Sequence, residues 1–82
     1  MASAERIGLL GPSWIRLLYH LVGSPKTPTE LATMEKKHLS QVSRTLRTLR
    51  DSGFVEYTQT GSRQRYYRVT AEGYAMLMRS LR

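Results

Sequence analysis

The 82-residue sequence has no cysteine, three prolines, one tryptophan and one phenylalanine. Without cysteine there is no disulfide scaffold and no thiolate cage for a metal, which fits an intracellular setting. His20 and His38 have no cysteine and no third histidine beside them, so no metal site is expected. No apolar run is long enough to cross a bilayer, and the start lacks a signal-peptide pattern. Paired carboxylates beside a nucleophile and a glycine-rich phosphate loop are also missing. The chain is therefore expected to be no enzyme, to carry no cofactor and to avoid membranes. At this length there is room for one small core and no second domain. Acidic residues are scarce too: six, against 13 Lys plus Arg, for a net charge of +7.

The surplus positive charge is concentrated. Between Lys36 and Arg68 stand eight basic residues (Lys36, Lys37, Arg44, Arg47, Arg50, Arg63, Arg65 and Arg68) and two acidic ones, Asp51 and Glu56. A basic patch confined to one segment is the electrostatic footprint of a nucleic-acid binder. Within it, Ser40–Arg50 reads as an amphipathic helix, with Leu39, Val42, Leu46 and Leu49 at i, i+3, i+7 and i+10. Its other side carries Ser40, Gln41, Ser43, Arg44, Arg47 and Arg50, side chains that hydrogen-bond base edges and phosphates. An ordinary solvated face would mix charge signs, whereas Arg44 and Arg47 repel each other at i, i+3.

Before this helix, Thr27-Pro28-Thr29-Glu30 is a capping box with proline at the first helical position. It predicts a short helix from Pro28 to about Lys36, with a turn through Lys36-Lys37-His38. His38 falls in that turn or at the helix cap. The result is a helix-turn-helix. After it, Gly53 stops the helix. Phe54–Thr58 and Arg65–Val69, rich in β-branched and aromatic residues, read as two strands. Thr60-Gly61-Ser62 joins them, with Gly61 free to take a positive φ. The hairpin tip carries Arg63 and Arg65 without acidic neighbours, for minor-groove or phosphate contact. Tyr66 and Tyr67 point to opposite faces, one to the core, the other to sugar-phosphate or solvent.

Glu30-Leu31-Ala32, Val42-Ser43-Arg44-Thr45-Leu46, Asp51-Ser52-Gly53-Phe54-Val55 and Tyr66 through Gly73 together resemble prokaryotic winged helix-turn-helix regulators. The similarity is to the arsenic-repressor and multiple-antibiotic-resistance-repressor groups, including small archaeal and archaeal-virus members, and covers residues 12–82. The chain departs from that pattern in two places: the turn has Lys36-Lys37 where glycine is usual, and Glu35 replaces an apolar residue. The resemblance implies a mainly α fold with a β-hairpin wing, in the order α-α-α-β-β-α. It also implies sequence-specific binding of double-stranded DNA as a transcription regulator, the recognition helix in the major groove and the wing on the minor groove or backbone. The DNA-contacting residues would be Lys36, Lys37, Ser40, Gln41, Ser43, Arg44, Arg47, Arg50, Arg63 and Arg65. The expected place is the cytoplasm, on the nucleoid. Two alternatives stay open: a sequence-tolerant DNA-coating protein, and a winged helix that binds protein or RNA.

The flanks complete the reading. Residues 1–11 form a tail, partly disordered or at a dimer interface. A first helix covers Pro12–Val22, with Ile15, Leu18 and Val22 as its stripe and Trp14 and Leu21 beside it. Thr70 caps a last helix, from Ala71 to about Leu81, with Tyr74, Leu77, Met78 and Leu81 on one face. That face either closes the core or pairs with a second copy. The second is preferred, with Trp14 joining it, because a twofold dimer presents two recognition helices to successive grooves.

Overall fold

The structure, a computed structural model, describes residues 13–61 and 63–80. The tail 1–11, Pro12, Ser62 and Leu81 lie outside the described residues. The elements run α1 (Ser13–Gly23), α2 (Pro28–Glu35), α3 (Leu39–Asp51), β1 (Val55–Gln59), β2 (Arg65–Val69) and α4 (Ala71–Ser80). This is the winged helix-turn-helix order. The strands pair antiparallel from Val55 opposite Val69 to Gln59 opposite Arg65. Lys26 adds a short third rung: its N–H donates to the Tyr67 carbonyl at 3.0 Å, and the Tyr67 N–H returns to the Lys26 carbonyl at 2.8 Å. Nothing in the sequence pattern signalled that rung.

One core holds the helices and hairpin together. It consists of Trp14, Leu17, Leu18 and Leu21 from α1, Leu31 and Ala32 from α2, and Val42, Leu46 and Leu49 from α3. Phe54, Val55, Tyr67 and Leu77 complete it. The buried face of α1 is thus rotated from the expected stripe: Leu17 is buried, while Val22 is exposed and Ile15 only half-buried. Positions 14, 17, 18 and 21 form the tighter i, i+3, i+4, i+7 set. Two residues expected at a dimer seam also belong here. Leu77 is 0% exposed and Trp14 is buried, so both close the core of a single chain. Tyr74 and Met78 stay on the surface of α4. Leu39 is a third correction. It follows the stripe's spacing but sits at the tip of α3, ahead of the core's edge, and is 49% exposed.

The helix ends follow local chemistry. In α2 the Glu30 N–H donates to Thr27 Oγ1 at 3.1 Å, and the Thr27 N–H donates to Glu30 Oε1 at 2.8 Å. That is the expected capping box. Both α2 and α3 close with paired reverse bonds. In α2 the Lys36 N–H reaches the Thr33 carbonyl and the Lys37 N–H reaches the Ala32 carbonyl. In α3, Gly53 and Phe54 do the same to Arg50 and Leu49. Each closure needs one left-handed residue. Gly53, at φ +82, supplies it freely. Lys36, at φ 54, supplies it with a Cβ that crowds the next carbonyl. The positive φ open to Gly61 is not used.

At α4, the Gly73 N–H donates to the capping Thr70 Oγ1 at 3.0 Å, and that hydroxyl donates to the Gly53 carbonyl at 2.6 Å. A Cβ on Gly73 would run into the Phe54 carbonyl oxygen. Glycine there lets α4 sit directly on the α3–β1 corner.

Replacing Lys36 with glycine removes the left-handed strain at the close of α2. Lys36→Gly should raise stability by up to about 1 kcal/mol, or roughly 4–8 °C in a domain this small. Thermal unfolding followed by circular dichroism measures it. No gain would mean that the backbone at Lys36 is unstrained.

Candidate nucleic-acid interface

Burying Val42, Leu46 and Leu49 turns the opposite side of α3 outward. Ser40, Gln41, Ser43, Arg44 and Arg47 are all exposed on it. The hydroxyls of Thr45 and Thr48 bond back to the carbonyls of Gln41 and Arg44, at 3.1 and 3.3 Å, and so are used locally. The N-terminal half of α3 faces the wing across a trough lined by Thr27, Pro28, Thr29, Leu39, Ser43, Arg63, Gln64 and Arg65. Three elements therefore border one surface: the start of α2, the start of α3 and the wing tip. On the other flank of α3, Lys37, Gln41 and Arg44 share a cleft with Ser13, Leu17 and Glu35. At about 250 Å³ it is smaller than the roughly 300–1,000 Å³ of most small-molecule sites.

The cations expected at the interface divide into two groups. The Arg50 and Arg65 guanidiniums lie over the Tyr57 ring, 5.0 and 4.7 Å from its centroid. Tyr57 in turn packs on Tyr67, with ring centroids 5.3 Å apart. Cation–π stacking holds both arginines against the wing's inner face, so Arg65 is not the free tip residue that the sequence suggested. Arg68 faces Glu56 across the strands at 3.8 Å. Among the described residues, Arg44, Arg47 and Arg63 have no ion pair and no ring beneath them. Lys36 and Lys37 stand in the turn before α3, the first exposed and the second half-buried. Tyr66 is half-buried and Tyr67 buried, as their alternation implied.

The turn is braced from behind by a cluster that sequence reasoning missed. The Glu35 side chain is 8% exposed and accepts from Arg16 Nε at 2.8 Å. His20 Nε2 lies 2.7 Å from its other oxygen. A carboxylate only accepts, so His20 must donate from Nε2. Burial pushes the Glu35 carboxyl up, but the hydrogen bonds and charges of His20 and Arg16 outweigh it and hold the pKa below the ordinary 4.5. The cluster ties α1 to the last residue of α2. The signal was a charged residue where the family pattern has an apolar one. Tyr57 was missed as well, although it shares the inward face of β1 with Val55. His38 takes the cap position of α3 without a side-chain bond.

Residues 12–57 match the model of the family described as bacterial regulatory protein, arsR family. This chain belongs to the arsR family. A crystal structure described as a possible transcriptional regulator for arsenical resistance is 32% identical, over 87% of this chain and 73% of that one, with a TM-score of 0.74. Two further structures share the fold. One is the homodimeric winged helix-turn-helix DNA-binding domain (fragment 1–100) of a possible arsR-family regulator from Mycobacterium bovis. It is 24% identical over 98% of this chain and 75% of that one, with a TM-score of 0.77. The other is the adhesin competence repressor of Streptococcus pyogenes, 17% identical over 84% of this chain, with a TM-score of 0.79. The arsR-family chain spans 52% of that repressor's length. No curated protein sequence matches. No helix among the described residues is long and apolar enough to cross a membrane.

Two outcomes follow. The Glu35 pKa is lower folded than unfolded, so its contribution is complete above about pH 4.5 and is lost as pH falls through the folded value. Arg16 is largely exposed, so the contribution should stay below about 1 kcal/mol. Urea unfolding over a pH series should show Glu35→Gln flattening this acid limb; an unchanged limb removes Glu35 from it. For the wing, Arg63→Ala should flatten the slope of log affinity against log salt by about 0.9 for each phosphate that Arg63 neutralises. Arg65→Ala should leave the slope nearly unchanged, because Arg65 is held by Tyr57. Equal slopes for the two variants would refute the division of the cations.

Proposed function

We propose that this chain binds double-stranded DNA sequence-specifically, as the reading module of a transcription regulator on the nucleoid. The carrying observation is that the start of α2, the start of α3 and Arg63 border one surface, while the exposed face of α3 carries Arg44 and Arg47 with no ion pair among the described residues. In this reading the N-terminal half of α3 enters the major groove and presents Ser40, Gln41, Ser43 and Arg44 to base edges. Arg47, Lys36 and Lys37 meet the backbone, and Arg63 reaches the flanking phosphates or minor groove. Arg50 and Arg65 instead hold the wing in place. Membership of a family of regulators supports binding over catalysis.

We further propose a homodimer. The Mycobacterium bovis domain of this fold is homodimeric, and Tyr74 and Met78 leave apolar surface exposed on α4. A twofold axis there would place two α3 helices about 34 Å apart, one turn of B-DNA.

Selection from random duplex DNA tests both claims: a specific dimer should recover a palindromic motif. On that motif Arg44→Ala should cost about 1–3 kcal/mol and relax one position. A loss of equal size on scrambled DNA would reassign Arg44 to phosphate. Recovery of no motif would replace specific reading with charge-driven coating.

A further inference from the structure

We propose that Leu39 reads the C5-methyl group of a thymine in the major groove. This rests on the DNA-reading assignment above and adds a specificity determinant to it. Leu39 is the first residue of α3 and its one large apolar side chain left exposed. A single exposed leucine is ordinary on a protein surface, so its position has to carry the inference. Leu39 lies on the wing side of α3, one helical turn before Ser43, and both line the trough that Arg63 borders from across. Beside it stand the Ser43 hydroxyl and, across the trough, Arg63, and the stripe's burial has already ended. At the entering end of a recognition helix, an aliphatic side chain meets base edges or the sugar-phosphate strand.

The two destinations differ in chemistry. Against a phosphate, leucine would strip water from the anion and return no hydrogen bond, a net loss. Against the base edges, one of the four pairs offers a matching surface: thymine carries a methyl group in the major groove. The hydroxyl of Ser43, one turn on, accompanies that contact with a polar one to the same or the neighbouring pair. Leu39 therefore discriminates by shape and apolar contact, while Arg44 discriminates by hydrogen bonding.

The test needs a probe that removes only the methyl. Each thymine of the selected motif is replaced in turn by deoxyuridine, which keeps every hydrogen-bonding group. Binding of the wild-type chain and of Leu39→Ala is then measured on each duplex. Alanine at a half-exposed first helical position preserves the helix, which circular dichroism verifies. The wild-type chain should lose about fourfold in affinity at one thymine per half-site, the worth of one buried methyl. Leu39→Ala should bind the thymine and deoxyuridine duplexes equally at that position. If both proteins lose the same factor, another group reads the methyl and the proposal fails. If no thymine is sensitive in the wild type, it also fails. A wild-type chain that prefers no duplex at all overturns the DNA-reading assignment itself, which the affinity for the unmodified motif shows first.

Discussion

Burial of Val42, Leu46 and Leu49 beneath α3 is the constraint on which the rest of the molecule depends. These residues fix the rotation of the helix, and rotation decides which side chains face outward. A slip of one residue, about 100°, would turn Ser43 and Arg47 toward the core and bring apolar groups to the surface. Every other device acts on that helix from outside. The reverse bonds at Gly53 stop it and lead directly into β1. The left-handed turn at Lys36 sets its start. Glu35, gripped by Arg16 and His20, holds that turn against α1. Tyr57, beneath Arg50 and Arg65, holds the wing against the far end of α3. The helix is immobilised at its core face and both ends, and of the arginines on its polar face Arg50 alone stacks on the wing.

That separation explains why the cations do not form one population. A cation that contributes to folding needs a partner, and here the partners are a ring and a carboxylate: Tyr57 for Arg50 and Arg65, Glu56 for Arg68. Among the described residues, Arg44, Arg47 and Arg63 have none. Summed charge along the segment could not reveal this, because all six are arginines at similar spacing. The distinction came from strand register. Tyr57 opposite Tyr67 brings both rings to the inner face, and Arg65, on the same face, lies along them.

The legible parts of the fold were those fixed by short-range chemistry. Thr27, Pro28 and Glu30 determine the start of α2 among four consecutive residues. Gly53 determines the end of α3, and the alternation of Tyr66 and Tyr67 determines which face of β2 is buried. The illegible parts depend on elements far apart in sequence. Lys26 joins the sheet because Tyr67 meets it, 41 residues later. His20 and Glu35 pair across two helices. Leu77 closes the core because Gly73 lets α4 approach the Phe54 carbonyl, so a face that looked like a dimer seam is partly an interior one. Leu39 shows the limit of periodicity: the pattern continued correctly, but the core under it had ended.

The start of α3 carries the clearest conflict between folding and binding. Helix N-termini favour acidic residues and a hydroxyl cap. Both α2 and α4 follow the rule, with Glu30 and Glu72 in their first turns and Thr27 and Thr70 as caps. In α3 the first turn has no acid, and His38 occupies the cap position without making the bond. Two lysines precede it, one of them in a left-handed conformation that glycine would adopt more easily. Each of these choices works against the helix on its own. Together with the partial positive charge of the helix terminus, they make the entering end of α3 a focus for anions. A chain under pressure for stability alone would place aspartate or serine at position 38 and glycine at position 36. The rules of folding are broken together at the end of the helix that, in the proposed function, approaches a polyanion. Misplaced charges of one sign, at the terminus that least favours them, therefore support the proposed role of α3 as a reading element beside the convergence of α3, the start of α2 and Arg63 on one surface.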